Sequence, residues 1–211
     1  MWFWILKGGF MMVPIILCSI FSLTIIIERI LFYFSLLRFN PQNLTVQIIN
    51  SVRKNKISEA VDICEKNQFY ITNVLKAGLV YYESSREIVK ENMDAAALYE
   101  IPQLEKNLNL LNMVAQIAPL LGFLGTALGL LKGFYAISEK TLNAGALVQA
   151  DLALGLGQAL VVTVSGLAVA LIASIAYGYF IHKVNFYILE TERAISELLE
   201  ALSQRRYGSE V

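Results

Sequence analysis

Three stretches without a charged residue constrain this 211-residue chain more than any other feature. They run from Gly8 to Ile27, from Asn107 to Leu131 and from Leu152 to Ile181. Each is at least as long as the roughly 20 apolar residues that a helix needs to cross a bilayer. Only 16% of the residues are charged, against about 25% in soluble proteins. The sequence therefore predicts an integral membrane protein with three transmembrane helices.

Lysine and arginine are concentrated between the first two spans and in the C-terminal tail, whereas the opposite side has only Lys7, Lys132 and Lys140. An excess of positive charge near span ends marks the cytoplasmic side. We therefore expect the N-terminus outside, with the large middle segment and the C-terminus in the cytoplasm. No strand alternation is visible, so the predicted fold is an all-α integral membrane protein whose spans are extended by long cytoplasmic helices.

The span boundaries follow from where charge returns. Lys7 before an apolar run is typical of a signal peptide, but the run has no clear cleavage site and continues past Glu28-Arg29, so we expect an uncleaved helix. The predicted segments are transmembrane helix 1 at 8–37, a cytoplasmic helical domain at 38–106, transmembrane helix 2 at 107–137, a periplasmic loop at 138–151, transmembrane helix 3 at 152–181 and a cytoplasmic C-terminal helix at 182–211.

Helical signals divide the cytoplasmic part. Helices are predicted from Asn40-Pro41, over Ile57–Lys66, over Tyr70–Tyr82 and over Ser85–Glu100, with Pro102 kinking or interrupting the last. The tail is predicted to continue the third span as a helix with one apolar face. That face consists of Val184, Ile188, Ile195, Leu198, Leu199 and Leu202.

Small residues recur at helical spacing in the second and third spans. The second span has Pro119, Gly122, Gly125, Gly129 and Gly133; the third has Gly166, Ala170, Ser174 and Gly178. Small residues on one face allow two membrane helices to approach closely. They are expected at helix packing and subunit interfaces: the contact can lie within one chain, between subunits of a ring, or both.

Polar residues within the spans are few. Thr126, Gln158, Thr163 and Ser165 are the deep ones. A threonine in a membrane helix often donates only to its own backbone, but Thr126 and Thr163 sit among small residues, where a hydroxyl can reach a lumen or a partner helix. Neither of these two spans contains a carboxylate. If the chain conducts protons, another subunit must supply that group.

Other site chemistry is not indicated. Cys18 and Cys64 are expected to be buried thiols, and His182 is expected at a span end. We find no catalytic set, no phosphate loop and no metal-ligand spacing, so no enzyme activity, metal or cofactor is predicted. Glu28 and Arg29, at the cytoplasmic end of helix 1, are expected to be solvated or to form an anchoring ion pair.

Two motifs resemble one known family. Residues 117–129, IAPLLGFLGTALG, resemble the APLLGLLGTVxG signature of the MotA/TolQ/ExbB proton-channel family, and residues 157–170, GQALVVTVSGLAVA, are similar to its xEALxxTAxGLxVAIP segment. Glu28-Arg29 resembles the ERL-type end of the family's first span, and Ala77-Gly78-Leu79 is a weaker landmark. Three spans with a short outer N-terminus resemble ExbB and TolQ more than the four-span MotA.

The resemblance implies a role and partners. In that family five subunits surround a smaller ExbD- or TolR-like subunit, whose membrane aspartate carries the proton, and the motor acts on a TonB- or TolA-like protein. The resemblance implies a homopentamer in the bacterial inner membrane, with Thr126 and Thr163 facing the lumen. The served process would be outer-membrane import or envelope integrity.

Two positions depart from the family pattern. Gln158 stands where the family usually has a glutamate, and the family's proline after the last motif is absent, since Leu171-Ile172-Ala173 follows. Glutamine can form hydrogen bonds but cannot titrate. The expected ion pathway is therefore Thr126 and Thr163, with Gln158 a weaker third member. A non-conducting membrane scaffold of an envelope complex stays an alternative; a small-molecule transporter is disfavoured because inverted repeats are absent.

Overall fold

The computed structural model describes residues 9–38, 41–67, 69–140 and 145–208, without the side chains of 37–38, 41, 136–140, 145–152 and 206–208. Within these residues the chain is entirely helical apart from short turns. Asn40, predicted to start a helix, and Lys7 lie outside the described residues. The helices are α1 (Met12–Arg38), α2 (Pro41–Arg53), α3 (Ile57–Lys66), α4 (Tyr70–Val80), α5 (Arg86–Glu105), α6 (Leu108–Lys140) and α7 (Gly145–Gly208).

Three of these helices are long and apolar enough to cross a membrane. The candidate spans are Met12–Leu36 in α1, Leu108–Tyr135 in α6 and Ala153–Arg205 in α7. Their exposed surface is dominated by large apolar side chains, as expected for helices that lipid surrounds. The predicted all-α membrane fold is confirmed, and the protein is a multi-pass membrane protein.

The longest helix, α7, has 64 residues and continues without a break beyond the apolar segment. At 1.5 Å per residue it is about 96 Å long, roughly three times the thickness of the hydrocarbon core. The predicted continuation of the third span into the tail is confirmed. In the predicted tail face, Ile188 is half-buried and the other members are buried.

The segment at 138–151, predicted as a loop, is largely helical. Helix α6 runs to Lys140 and α7 begins at Gly145, and the residues between them lie outside the described residues. The prediction placed the ends of the helices where charge returns. Charge marks the limit of the hydrocarbon, however, and does not by itself stop a helix.

The chain forms two compact units. The span unit comprises Met1–Ile30 and Asn107–Phe180, and the bundle unit comprises Leu31–Lys106 and Ile181–Val211. Large apolar side chains fill the core of the bundle unit. The most deeply buried include Ile48, Val52, Val74, Leu75, Met93 and Leu198, all 0% exposed.

Local signals fix the ends of the bundle helices. Ser85 caps α5, its hydroxyl oxygen accepting a hydrogen bond from the Ile88 backbone N–H at 3.4 Å. Buried Thr72 accepts a hydrogen bond from the Phe69 N–H at 2.8 Å, which secures the start of α4. Pro102 does not interrupt α5, which continues to Glu105. Proline has no N–H to donate, so the helix lacks one backbone hydrogen bond at that position.

The thiol of Cys64 lies in α3 with 1% exposure. Burial raises its pKa to about 11, and the nearby Lys76 opposes this shift only partly. The thiol therefore stays protonated near neutral pH and reacts slowly. The expectation of a buried thiol is confirmed for Cys64, whereas Cys18 in α1 is only half-buried.

Candidate functional site

The span unit is organised by a contact between α6 and α7 in which backbone meets backbone. A Cβ atom added to Gly166 would lie 2.7 Å from the Ala118 carbonyl oxygen, too close for any side chain. One added to Gly122 would lie 3.2 Å from the Thr163 Cα. Only hydrogen fits at Gly166, so this residue lets the two helices touch directly.

The same contact continues along both helices. A Cβ on Gly125 would overlap the Val162 side chain, and one on Gly129 would lie 2.8 Å from the Ala159 Cβ. Gly155 completes the series, because a Cβ there would lie 3.2 Å from the Gly129 carbonyl oxygen. The glycines of the second span thus pack against α7 of the same chain, so they make a contact within the chain; a contact between subunits stays a prediction.

The remaining small residues of the two spans fall into two groups, those that are buried and those with open space around them. Gly133 and Ala170 are buried, and Pro119 is half-buried within α6. By contrast, a Cβ on Gly178 would meet no described atom within 4 Å, and the same holds for Gly157. Gly178 therefore takes no part in the packing of the described residues, although its spacing from Gly166 and Ala170 is regular.

Thr163 joins the two helices by a hydrogen bond. Its hydroxyl oxygen lies 3.0 Å from the Gly122 carbonyl oxygen across the contact, and 3.2 Å from the Ala159 carbonyl oxygen on its own helix. A hydroxyl that donates to a carbonyl still has two lone pairs with which to accept. Half-buried Thr163 is thus both a link between helices and a free acceptor.

Thr126 lies one turn beyond Gly122 on α6, near the level of Thr163. Its hydroxyl donates to the Phe123 carbonyl at 2.6 Å, within its own helix. The structure therefore brings the two predicted pathway threonines to the same stretch of the α6–α7 contact. Their orientation towards a lumen stays a prediction.

Gln158 lines a groove of about 410 Å³ that neither Thr126 nor Thr163 lines. The groove is mostly apolar, and Lys132 and Tyr135 also border it. The Gln158 side chain is exposed and has an amide in place of a titratable carboxyl group. It can donate and accept hydrogen bonds there, but it cannot carry a proton as a carboxylate would.

A polar cluster closes one end of the span unit. The Asn107 side-chain amide donates to a Glu28 carboxylate oxygen at 2.7 Å, and the other carboxylate oxygen lies 3.5 Å from the guanidinium of Arg29. Arg29 is 2% exposed, so the adjacent pair is an anchoring ion pair with one buried member. Among the span-unit side chains that the structure describes, Glu28 is the only carboxylate.

Sequence reasoning missed three members of this site: Asn107, Gly155 and Ala159. Asn107 has a φ of 62°, a left-handed conformation that asparagine tolerates better than most residues, and it separates α5 from α6. Its place between charged Lys106 and an apolar run was the available signal. Gly155 and Ala159 are themselves four residues apart and lie 11 and 7 residues before Gly166, which places them on the same helix face, a signal that the sequence did carry.

Comparison with known proteins shows the family of the chain. The sequence pattern of the MotA/TolQ/ExbB proton channel family matches residues 66–193, more than half of the chain. An ExbB-like biopolymer transport protein of Synechocystis is 32% identical over 174 residues, covering 82% of this chain and 67% of that protein. The biopolymer transport protein ExbB of Aquifex aeolicus is 37% identical over 118 residues, covering 56% and 76%.

A third relative, biopolymer transport protein exbB1 of Vibrio cholerae, is 29% identical over 171 residues, covering 77% of this chain and 71% of that protein. Both motifs that carried the resemblance, residues 117–129 and 157–170, lie within the matched region. These two helical segments are also the ones through which α6 and α7 contact each other around Thr163. The chain belongs to the MotA/TolQ/ExbB proton channel family.

Proposed function

We propose that this chain is the ring-forming subunit of an inner-membrane motor driven by the proton-motive force. It works with an ExbD- or TolR-like single-span subunit and energises a TonB- or TolA-like protein, for outer-membrane import or envelope integrity. Family membership supports the general role, a proton channel that energises transport. The relatives' names as biopolymer transport proteins agree with it.

The observation that carries the proposal is the pair of threonines at the α6–α7 contact. The described spans offer hydroxyl acceptors at Thr126 and Thr163 but no carboxylate at mid-span. A proton pathway then needs a titratable group from elsewhere, which an aspartate on a partner helix would provide. The threonine oxygens would accept hydrogen bonds from that carboxyl group or its water as the proton passes.

The energy available is adequate for mechanical work. One charge crossing a potential of ~100 mV releases about 2.3 kcal/mol, and successive transfers add. The proposed orientation, with the N-terminus in the periplasm and the C-terminus in the cytoplasm, makes the bundle unit cytoplasmic. The chain itself performs no covalent chemistry in this proposal and needs no cofactor.

One observation favours a second function, a non-conducting scaffold. The hydroxyls of Thr126 and Thr163 both have backbone partners, so helix packing alone accounts for them. The amide at Gln158 is equally compatible with such a role. A scaffold would assemble with the same partners, yet proton flux would not depend on either hydroxyl.

A flux measurement in proteoliposomes separates the two functions. The chain is co-expressed with each single-span protein of the source genome that has an aspartate in its span. The complex is purified, and native mass spectrometry gives the number of copies of each subunit. We expect a ring around the partner whose proton flux is lost in Thr126→Val and Thr163→Val. Thr163→Ser, which keeps the hydroxyl, should restore flux.

The matched control is Thr24→Val in α1. Thr24 is also a span threonine that donates to its own helix, to the Ile20 carbonyl at 2.8 Å, but it is exposed on the outer surface of α1. Its replacement should leave flux unchanged. Full flux in both pathway variants would contradict the channel assignment and favour the scaffold, and a stable monomer without partner would contradict the ring.

A further inference from the structure

Two pairs of large apolar side chains are among those that the bundle unit exposes on α5 and α7. The α5 patch consists of Leu98 and Tyr99, which are 75% and 82% exposed. The α7 patch consists of Phe186 and Leu189, which are 47% and 64% exposed. Both patches lie outside the three charge-free segments of the sequence. In the proposed orientation the bundle unit faces water, and adjacent exposed residues of this size then mark an interaction surface.

Neither patch faces the core of its own unit. Helix α5 packs on α4 through Met93, whose sulfur would lie 2.5 Å from a Cβ on Gly78, and Leu98 lies on a different face. Helix α7 turns Val184 and Tyr187 inward, with 0% and 4% exposure, and leaves the α7 patch outside. The described part of the bundle therefore leaves both patches available to another molecule.

Contacts inside the bundle place the two patches within about two helical turns of each other along the bundle. The Tyr33 hydroxyl donates to the Leu104 carbonyl at 3.0 Å, and the Tyr33 ring stacks on Tyr187 at 6.1 Å between centroids. Leu104 of α5 and Tyr187 of α7 therefore share one level. The α5 patch lies between one and two turns before Leu104, and the α7 patch lies within one turn of Tyr187.

Helix α4 gives a second, independent link between the levels. Its Tyr70 ring lies 5.5 Å from the Tyr187 ring, and its Asn73 amide donates to Glu100 of α5 at 2.8 Å. Tyr70 and Asn73 are less than one helical turn apart. Glu100 directly follows the α5 patch, so the α5 patch lies close to the level of Leu189.

Opposite charges flank the two patches at matching distances. Asp94 lies one turn before Leu98 on α5, and Arg193 lies one turn after Leu189 on α7. Both side chains are exposed, and neither forms an ion pair with a side chain that the structure describes. Helix α5 runs towards the level of Tyr187, so Asp94, which precedes its patch, lies farther from that level than the patch does. Helix α7 runs away from Tyr187, so Arg193, which follows its patch, is displaced in the same direction.

A groove of about 240 Å³ beside the α7 patch offers room for an aromatic ring. Val46 and Ile71 provide apolar lining, and Glu190 and Arg193 lie at its polar side. Glu190 accepts a hydrogen bond from Gln42 at 2.5 Å. A tyrosine that enters such a groove beside an arginine has the features of an interface hot spot.

We propose that the α5 patch of one copy of this chain packs against the α7 patch of the next, with Tyr99 in the groove and Asp94 facing Arg193. Two different patches at nearby levels make a heterologous contact, and rotation about an axis along the bundle can close such contacts into a ring. In this pairing the opposite charges of Asp94 and Arg193 meet, and Glu190 and Glu197 line the same groove as Arg193. The inference rests on the proposed ring and names its interface outside the membrane.

Disulfide trapping tests the pairing directly. Leu98→Cys and Leu189→Cys are introduced into separately tagged, co-expressed chains, and membranes are oxidised. We expect a disulfide between the two tags, because a disulfide forms only when the Cα atoms approach within about 7 Å. Two chains that both carry Leu98→Cys should not cross-link. Ile88→Cys, exposed on the same helix but ten positions away, paired with Leu189→Cys is the control and should also not cross-link.

A charge exchange provides a second readout. Asp94→Arg or Arg193→Asp alone should lower the cross-linked fraction several-fold, because like charges then face each other. The double variant should restore it, whereas Asp62→Arg on α3, also exposed, should have no effect. Restoration by the double variant cannot arise from misfolding of either single variant.

The outcomes separate the interface from the ring. An intact ring by native mass spectrometry, without the 98–189 cross-link and insensitive to charge reversal, would overturn the interface and leave the proposed function standing. A monomer in every condition would overturn both. A cross-link from Leu98→Cys only to the smaller subunit would assign the patch to that partner and also overturn the proposal.

Discussion

The closest helix contact of the span unit is built differently from the core of the bundle unit. In the span unit, α6 meets α7 through Gly122 and Gly166, with backbone against backbone. In the bundle unit, side chains as large as Leu75 and Met93 are buried completely. Only 17–28% of the most apolar window of each candidate span is buried. One chain thus contains two modes of helix packing, one suited to helices in lipid and one suited to helices in water.

The difference follows from the two solvents. In water, burying a leucine removes apolar surface from the solvent and stabilises the fold by about 1.5–3 kcal/mol. In lipid, the chains outside are as apolar as leucine, so helices associate through close van der Waals contact and hydrogen bonds such as that of Thr163. The bundle unit should therefore be sensitive to removing atoms, and the span unit to adding them.

The largest effect is expected from truncation in the bundle core. Leu75→Ala should lower the free energy of unfolding of the bundle unit by about 2–5 kcal/mol, because it leaves a cavity where the side chain was fully buried. The measurement is maleimide labelling of buried Cys64 in increasing urea. Val80→Ala, at a 61% exposed position of the same helix, should shift the labelling midpoint little. Equal shifts would mean that the core does not lie at Leu75.

A smaller effect is expected from adding one methyl group in the span unit. Gly166→Ala should destabilise the α6–α7 pair by about 1–3 kcal/mol, because the new Cβ meets a backbone carbonyl that cannot turn aside. Unfolding in mixed detergent with SDS, followed by helix content, measures it. Gly178→Ala should be neutral or slightly stabilising, since space is open there and alanine favours helix. Tolerance of both changes would refute the backbone contact.

The smallest effect is expected at a helix cap of the bundle. Ser85→Ala removes the acceptor at the start of α5 and should cost about 0.5–1 kcal/mol, the low end for a cap whose hydrogen bond is 3.4 Å long. The same Cys64 labelling assay reports it. Ser196→Ala, within α7, is the control, since Ser196 only donates to its own helix and alanine is the better helix former. A larger loss of unfolding free energy in Ser196→Ala than in Ser85→Ala would contradict the assignment of Ser85 as the cap of α5.

Sequence predicted the bundle unit better than the span unit. The helix Ile57–Lys66 and the start of α4 at Tyr70 are confirmed, as is the buried face of the tail that includes Leu198. In water, helical periodicity separates an apolar inner face from a polar outer one, so the pattern itself identifies what is buried. The same pattern did not predict that α6 extends to Lys140 or that α7 begins at Gly145.

Within the spans, periodicity loses that power because every face is apolar. Gly166 and Gly178 look equivalent in sequence, yet only Gly166 is packed against another helix. The bond between Thr163 and Gly122 joins residues 41 positions apart, and no local rule predicts it. The candidate site was therefore located by its motif, while its internal contacts required the structure.

The glycine contact has a mechanical consequence. Where side chains separate two helices, rotamer changes can absorb a small displacement of one helix against the other. Between Ala118 and Gly166 no side chain is available to take up such slack. A force applied at the Thr163 hydroxyl, which bridges the two helices, would therefore move α6 and α7 together as one rigid pair.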